Sequence, residues 1–168
     1  MASENFAEHA FLTLLKGHPL LVNHLDAALR KDAELSLIEY GMLVTLSEAP
    51  ERRLTMAELA RAVVYSRSGL TTLVDSLERR GLIVRERSQT DRRSWYTTLT
   101  DDGLTARRAA EPVYTGFLHD HVLAHLTPER AEAIAAVYGA VIADLAPDWP
   151  ELRQYHPSEQ PTAIPHES

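Results

Sequence analysis

The chain has 168 residues, of which 45% are hydrophobic and 24% charged, and it carries a formal net charge of −7 and no cysteine. This composition is ordinary for a soluble globular domain with a sizeable core, and it excludes wholesale disorder, disulfides, thiolate metal sites and thiol-based redox sensing. No apolar run is long enough to span a bilayer and the first residues lack a signal-peptide pattern, so we expect a cytoplasmic protein without a membrane partner.

Apolar residues recur at helical spacing in two N-terminal stretches, Asn5–Lys16 and Leu20–Lys31. The intervening Gly17-His18-Pro19 predicts an interruption or a kink, because proline disfavours the helical conformation in the residue before it. A lone helix cannot bury a long apolar stripe by itself, so we expect residues 1–34 to pack against other helices and a second copy of the chain.

Two capping-box patterns then predict the starts of two shorter helices. Ser36-Leu-Ile-Glu39 opens a helix that we expect to reach about Ser47, before Ala49-Pro50 stops it. Thr55-Met-Ala-Glu58 opens a second, which we expect to end near Val63. Both are too short to stand alone and require tertiary packing.

A third helix follows a predicted turn at Val64-Tyr65. Ser66 is placed to cap it, and Gly81 is placed to end it after Arg80, because glycine readily adopts the left-handed conformation of a helix C-terminus. After Gly81 the spacing of apolar residues no longer fits a helix.

Leu82–Arg87 and Ser94–Leu99 are rich in β-branched or aromatic residues and predict two strands. The polar stretch Ser88–Arg93 between them predicts the tip of a hairpin. Two short helices joined by a turn and followed by such a hairpin describe a winged helix-turn-helix.

The C-terminal part again predicts helices. Thr100-Asp101-Asp102 starts one that we expect to reach about His125, with a kink or break at Pro112. Thr127-Pro128-Glu129 starts the last, with a cap, a proline at the first position and an acid near the positive end. Five of the nine prolines fall after Ala146, so we expect an extended or loop-like tail.

These elements predict a mainly α (α+β) fold, a winged helix-turn-helix with N- and C-terminal dimerisation helices. The expected organisation is a dimerisation helix at 1–34, kinked near 17–19, a winged helix-turn-helix at 35–100, dimerisation helices at 101–146 and a proline-rich tail at 147–168. We find no internal repeat.

Positive charge is concentrated between Arg52 and Arg93, which we call the arginine segment. It holds ten arginines, no lysine and five acidic residues, a net charge of +5, whereas the rest of the chain sums to −12. The planar fork of arginine suits phosphate oxygens and guanine edges, so the overall acidity does not exclude a nucleic-acid partner. On charge alone, a solvated arginine-rich surface explains the segment equally well.

Within the arginine segment, the third helix has the two faces that a DNA-reading helix needs. Leu70, Leu73, Val74 and Leu77 predict a buried stripe. The opposite side near the N-terminus carries small polar and basic residues that can contact base edges, and the helix start can bind a phosphate. The predicted contacts are Ser66, Arg67, Ser68, Thr71 and Thr72.

The hairpin tip offers Arg92 and Arg93, which are long enough to enter a minor groove, where the potential is most negative. Asp91 can orient one of these guanidinium groups through a charge-assisted pair. Each piece alone is common in other proteins, and their order within about forty residues favours DNA binding.

Five motifs make the sequence resemble the multiple-antibiotic-resistance regulator (MarR) family: Leu54–Ala60, Ser66–Glu78, Arg80–Arg85, Asp91–Arg93 and Leu99–Gly103. The resemblance implies a dimeric transcription factor whose first, fifth and sixth helices form the dimer interface. It also implies that Ser66–Arg80 reads the major groove and that Arg93, partnered by Asp91, enters the minor groove. The sequence departs from many members at Thr72, where they carry an arginine.

We therefore expect a homodimeric repressor that binds double-stranded DNA at a palindromic operator. Family members commonly bind small anionic or aromatic molecules between the dimer helices and the DNA-reading domain. The resemblance implies such an effector site here, with His24, Glu39 and Tyr40 as candidate contacts. A structural role also fits them, since a helical tyrosine is usually packed with its hydroxyl hydrogen-bonded.

Three alternatives were weighed. The first is a zinc-responsive regulator, because His121 and His125 would lie one turn apart on a continuous helix and could bind Zn²⁺. His119, Asp120 or a partner chain would supply the third ligand. We favour histidines at the surface or in the dimer interface, and we predict no metal. A winged helix that binds proteins or RNA would need an apolar patch, or stacking aromatic residues, where this sequence has Arg67, Thr71 and Arg93. No phosphate loop or nucleophile elbow is found, so we predict neither an enzyme nor a cofactor.

Overall fold

A computed structural model describes residues 2–63, 67–87 and 95–146, with side chains placed for residues 5–63, 69–87 and 95–146. The chain divides into two compact units, Met1–Asp120 and His121–Ser168. The helices and strands are α1 (Ala2–Ala33), α2 (Leu37–Glu48), β1 (Arg53–Thr55), α3 (Met56–Ala62), α4 (Arg67–Arg79), β2 (Ile83–Arg87), β3 (Trp95–Leu99), α5 (Asp101–His121) and α6 (Pro128–Leu145). The predicted turn at Val64-Tyr65 and the predicted tail at 147–168 lie outside the described residues.

The three strands form one antiparallel sheet in the order β1-β3-β2. Ile83 of β2 lies opposite Leu99 of β3, and Arg53 of β1 lies opposite Thr98. The hairpin of β2 and β3 was predicted from the sequence, but β1 was not, because three residues of mixed polarity are too few for an alternating pattern. With α3 and α4, this sheet makes the winged helix-turn-helix that the sequence predicted.

Side-chain caps form at Ser36 and Thr55, where the sequence predicted them, whereas the predicted cap of α4 at Ser66 lies outside the described residues. The Ser36 hydroxyl accepts from the backbone N–H of Glu39, and the Glu39 carboxylate accepts from the backbone N–H of Ser36 at 2.8 Å. Thr55 and Glu58 make the same reciprocal pair at the start of α3. Gly81 has φ +72°, the left-handed conformation expected after α4. These local signals explain why the bounds of α2, α3 and α4 agree closely with those predicted from the sequence.

Neither proline interrupts its helix, and the kinks that the sequence also allowed at these two positions stay predictions. Helix α1 continues through Pro19, and α5 continues through Pro112, although each proline lacks the N–H of a helical hydrogen bond. The carbonyls left without that donor belong to Leu15 and Arg108, which are exposed, so water can replace the lost bond. Helix α5 also ends at His121, one turn before the predicted end at His125.

The first unit has one continuous core between the helices and the sheet. Its members come from α1, the α1–α2 connection, all three helices of the winged helix-turn-helix, the sheet and α5. The fully buried large side chains are Leu29, Leu35, Met42, Leu43, Leu46, Leu59, Leu70, Val74, Leu77, Ile83 and Thr97. Thr97 and Leu99 point from β3 into this core, so the sheet shields the back of α4.

A tight contact joins α5 to the turn between α4 and β2, residues 80–82, which we call the 80–82 turn. Thr100 donates from its backbone to the Leu82 carbonyl (3.2 Å) and from its hydroxyl to the Gly81 carbonyl (2.8 Å). A Cβ on Gly103 would lie only 2.0 Å from the Leu82 carbonyl oxygen and 2.7 Å from Cδ1 of Leu99. Only glycine allows α5 to approach this closely.

The second unit contains a 3-10 turn at Leu123–His125 and α6. Thr127 caps α6 and Pro128 occupies its first turn, as predicted. No α6 side chain is buried, and Ile134, Val137, Val141 and Leu145 are exposed. Among the described helices, none is long and apolar enough to cross a membrane.

Gly103→Ala is expected to destabilise the protein by about 1–3 kcal/mol, because the added methyl group overpacks the contact with the Leu82 backbone. Gly116→Ala in the same helix is the matched control. A Cβ there meets nothing within 4 Å, so its effect should be neutral or stabilising by up to about 1 kcal/mol. Urea unfolding of both variants measures the difference, and equal midpoints would contradict the close approach.

Candidate nucleic-acid interface

Helix α4 separates its apolar and polar sides as a DNA-reading helix must. Leu70, Val74 and Leu77 have no exposed surface, and Leu73 is partly buried against the same core. Thr71 and Thr72, on the opposite side, are exposed. The predicted buried stripe is therefore confirmed, and the helix presents short polar side chains outward near its N-terminal end.

The other predicted DNA contacts cannot be placed in the same way. Ser66, Asp91, Arg92 and Arg93 lie outside the described residues. Arg67 and Ser68 begin α4, but their side chains are also outside the description. Their proposed contacts with DNA stay predictions.

Arg85 joins the hairpin to the back of α4, a contact that the sequence analysis missed. Its guanidinium pairs with the carboxylates of Asp75 and Glu78 on α4, at 3.4 Å for the Glu78 pair, and its backbone N–H donates to Glu78 at 3.2 Å. The three residues are partly buried. A signal was present in the sequence, because Asp75 and Glu78 are one turn apart on a helix and Arg85 places a charge in the middle of the following strand. The guanidinium therefore fixes β2 against α4.

Arg80 and Glu39 form a second such link. The Glu39 side chain is only 9% exposed, and its Oε1 lies 3.5 Å from a guanidinium nitrogen of Arg80. Ser76 of α4 also donates to Oε1 (3.4 Å), while Oε2 accepts from the Ser36 hydroxyl and backbone. Glu39 was predicted as an effector contact, but both of its oxygens already have partners in the protein. Its observed role is to connect α2 with α4.

Asp26 of α1 holds the start of α2. One carboxylate oxygen accepts from the backbone N–H of Leu37 (2.8 Å), and the other accepts from the Arg30 side chain (2.6 Å). Burial alone would raise the pKa of Asp26, but these hydrogen bonds and the charge of Arg30 lower it below its ordinary value of 3.8. The ionised form is therefore favoured, and the tie between α1 and α2 is present throughout the neutral pH range.

The remaining predicted effector contacts have different surroundings. Tyr40 is buried and its ring packs against Tyr114 of α5, with the centroids 5.0 Å apart. His24 is exposed, and its Nδ1 donates to the Leu20 carbonyl of its own helix at 2.8 Å. Tyr40 thus belongs to a buried aromatic pair, whereas His24 lies at the surface of α1.

A partly buried arginine belongs to the surroundings of Tyr40. Arg107 of α5 donates to Glu111 at 2.9 Å, and its Nε is buried without a hydrogen-bond partner among the described residues. Burial raises the pKa of the Tyr40 hydroxyl, and the Glu111 charge raises it further. The phenol is therefore a neutral hydrogen-bond donor at physiological pH. Sequence reasoning did not single out Arg107 or Tyr114.

The continuous helix on which His121 and His125 were expected to lie one turn apart is not present. Helix α5 ends at His121, Val122 has non-helical backbone angles (φ −123°, ψ −59°), and His125 lies in the separate 3-10 turn. The two imidazoles are therefore not on one face of a continuous helix. Across the described part of the chain, no group of three or more His, Cys, Asp or Glu side chains could hold a metal ion.

Comparison with known proteins identifies the family. A sequence profile of the MarR family matches residues 33–94. The crystal structure of Sco3205 from Streptomyces coelicolor, described as a MarR family transcriptional regulator in complex with DNA, is 33% identical to this chain, with a TM-score of 0.79. The match covers 86% of this chain and 89% of Sco3205.

Two curated relatives agree. The putative transcriptional regulatory protein for the hcr operon of Thauera aromatica is 40% identical over 67 residues, which are 40% of this chain and 39% of the relative. Transcriptional repressor MprA of Escherichia coli K12 is 34% identical over 88 residues, 52% of this chain and 50% of MprA. The chain therefore spans half or less of the length of these two proteins. Both are regulators of transcription, in agreement with the expectation that this chain is not an enzyme. From the profile match and the likeness to Sco3205 along most of both chains, the chain belongs to the MarR family of transcriptional regulators.

Proposed function

We propose that the protein is a homodimeric repressor that binds a palindromic operator through α4 and the hairpin and releases or retains it in response to a small molecule. The observation that carries DNA binding is the two-sided character of α4: a fully buried leucine and valine stripe holds the helix in the winged fold, while Thr71 and Thr72 are exposed. The 33% identical Sco3205 was solved with DNA, which supports the same use of the fold here.

The proposed docking places α4 in the major groove and the hairpin tip in the adjacent minor groove. Arg67, Ser68, Thr71 and Thr72 then face base edges, and Ser66 faces a phosphate. Arg92 and Arg93 enter the minor groove, with Asp91 orienting one of them. The acidic remainder of the chain repels DNA from other surfaces and so favours one orientation.

The dimer is supported by exposed apolar side chains on two helices. Phe11 and Leu15, one turn apart on α1, are 61% and 56% exposed. Val137 and Leu145 of α6 are 60% and 81% exposed. Apolar helix faces of this kind are stable in water only when another surface covers them, and a second copy of the chain supplies a matching one. Two-fold symmetry then requires half-sites roughly one helical turn, about 10 bp, apart or slightly more.

Repression is supported by MprA, a relative that is named a transcriptional repressor. A dimer that covers its operator blocks access to the promoter by occupancy alone. The competing possibility, a winged helix that binds protein and not DNA, predicts that the chain's own upstream intergenic DNA is not bound.

The effector response is supported by the cluster of Tyr40, Tyr114 and Arg107. Two packed aromatic rings offer a stacking surface, and the unpartnered Nε of Arg107 is a donor that a carboxylate could accept from. We therefore propose a small aromatic carboxylate as the effector class. His24, being exposed and bonded to its own helix, contributes at the edge of such a site.

Arg93→Ala is expected to weaken binding to all duplexes, because the protein loses one cation close to the DNA phosphates. The slope of log Kd against log salt concentration should fall by about 1.

Arg67→Ala should instead relax the preference for particular bases, at a cost of about 1–3 kcal/mol in binding free energy. Fluorescence anisotropy with the upstream intergenic duplex measures both. Arg108→Ala, an exposed arginine on α5, is the control. If Arg93→Ala unfolds the protein, the assignment of the hairpin tip is wrong.

A change of charge on the apolar face of α1 should convert the dimer to a monomer. Phe11→Glu combined with Leu15→Glu places two carboxylates where we expect a partner helix, whereas Thr13→Glu places one on the opposite side of α1. Light scattering after size exclusion should give the chain mass of 18.8 kDa for the double variant and twice that for the control. A dimer that survives the double change places the interface elsewhere.

Benzoate is expected to raise the melting temperature of the wild-type protein, because it binds the folded state only. Arg107→Leu should abolish that rise, whereas Arg108→Leu, its exposed neighbour, should preserve it. Cyclohexanecarboxylate tests the aromatic requirement and should shift the melting temperature less. An equal rise in wild type and Arg107→Leu would exclude Arg107 from the effector site.

A further inference from the structure

Arg80, the first residue after α4, reaches back to the connection between α1 and α2. We call residues 33–39 the corner. One guanidinium nitrogen of Arg80 donates to the Glu34 carbonyl at 2.8 Å, and another lies 3.5 Å from Oε1 of Glu39. A single side chain therefore binds the end of α1 and the start of α2 at the same time.

The two groups that receive Arg80 are themselves held in place. Glu34 has φ +55°, a left-handed conformation that ends α1 and turns its carbonyl away from the helix. Glu39 Oε2 is bound by the Ser36 backbone and hydroxyl, both at 2.8 Å, and Asp26 binds the next backbone N–H, that of Leu37. The corner is thus a rigid receptor for the guanidinium, and it belongs to the same compact unit as α4.

On the other side of Arg80, α4 and the hairpin behave as one body. Arg85 of β2 is paired with Asp75 and Glu78 of α4, so the strand cannot shift along the helix without breaking these pairs. We call α4 together with β2 and β3 the reading body. Arg80 lies at its junction with the corner.

Apolar packing alone does not determine the angle at that junction. Leu29, Leu35 and Leu77 belong to the shared core, but hydrophobic contact is non-directional and tolerates small rotations. Hydrogen bonds to a guanidinium weaken steeply when their angles change. The directional restraint between the corner and the C-terminal end of α4 comes from Arg80, assisted by the bond from Ser76 to Glu39.

We propose that Arg80 is a positioning residue that sets the angle of the reading body relative to α1. The proposal rests on the proposed function, in which α1 joins two copies of the chain, because that angle then fixes the separation of the two α4 helices. Arg80 would thereby determine which half-site spacing the dimer accepts, without itself touching DNA.

The angle can be measured without DNA. The chain has no cysteine, so Ala27→Cys on α1 and Thr72→Cys on α4, both at exposed positions, give a specific pair of spin labels. Dilution with unlabelled protein isolates the distance within one chain. We expect a narrow distance distribution for the wild-type background, a broader one for Arg80→Met, which keeps the apolar stem and loses the guanidinium, and an intermediate one for Arg80→Lys.

Arg79→Met is the matched control. Arg79 is the neighbouring arginine, and its Nε donates to the Asp75 carbonyl of its own helix, so its loss should leave the distribution unchanged. Glu39→Gln is a second test variant. It removes the charge that faces Arg80 but keeps the cap of α2, because glutamine also serves in a capping box. It should broaden the distribution in the same way. Thermal melts confirm that each variant is folded.

Operator spacing supplies the functional measurement. Footprinting on the intergenic duplex first locates the two half-sites. One base pair inserted between them should weaken binding of the wild-type protein roughly tenfold, equivalent to about 1.4 kcal/mol. The same insertion should weaken binding of Arg80→Met clearly less. A distribution as narrow in Arg80→Met as in wild type, or an unchanged insertion penalty, would overturn the proposal. If wild type binds no duplex, the proposed function fails, while the distance measurement still decides the role of Arg80.

Discussion

The carboxylate of Glu39 is almost completely buried, and a buried ion is tolerated only when each of its oxygens is hydrogen-bonded or paired. That requirement brings together the cap of α2, the Ser76 hydroxyl and the guanidinium of Arg80. These groups come from the corner and from the C-terminal end of α4, so satisfying one charge fixes the orientation of α4, which we propose reads DNA, relative to α1, which we propose joins two subunits. The same requirement explains why a glutamate is retained at this buried position.

Several arginines of the arginine segment are engaged by contacts within the protein. Arg80 and Arg85 are bound to carboxylates of the protein and hold the winged helix-turn-helix in one arrangement. Arg53 lies over the ring of Tyr96, with its guanidinium carbon 4.8 Å from the centroid, and stabilises the edge of the sheet. The ten arginines of the segment therefore overstate the number of guanidinium groups left for the proposed contacts with DNA, because several are engaged within the protein.

Local signals were sufficient for most of the fold. The Ser36 cap depends on atoms within four residues, which a single sequence displays directly. The sequence misled where exposure to water decided the outcome, since Pro19 would break a buried helix and is tolerated in an exposed one. Strand β1 is defined by its pairing with β3 and has too short a pattern of its own. The link made by Arg80 could not be predicted, because it depends on which partner the folded chain brings within reach. For Arg85 the sequence places two acids one turn apart and a nearby arginine, but it does not show that they meet.

The contacts that anchor the reading body meet at the 80–82 turn. Arg80 donates to the corner, Thr100 donates to the Leu82 carbonyl, and Gly103 packs closely against that same carbonyl. The C-terminal end of α4 is therefore fixed at this turn, and any tilt of the helix moves its N-terminal end most. Thirteen helical residues at 1.5 Å each span about 20 Å, so a tilt of about 5° displaces the N-terminal end by about 1.7 Å. Such a displacement exceeds the tolerance of a hydrogen bond to a base edge. Changes too small to disturb the core would therefore suffice to disengage the reading end of the helix.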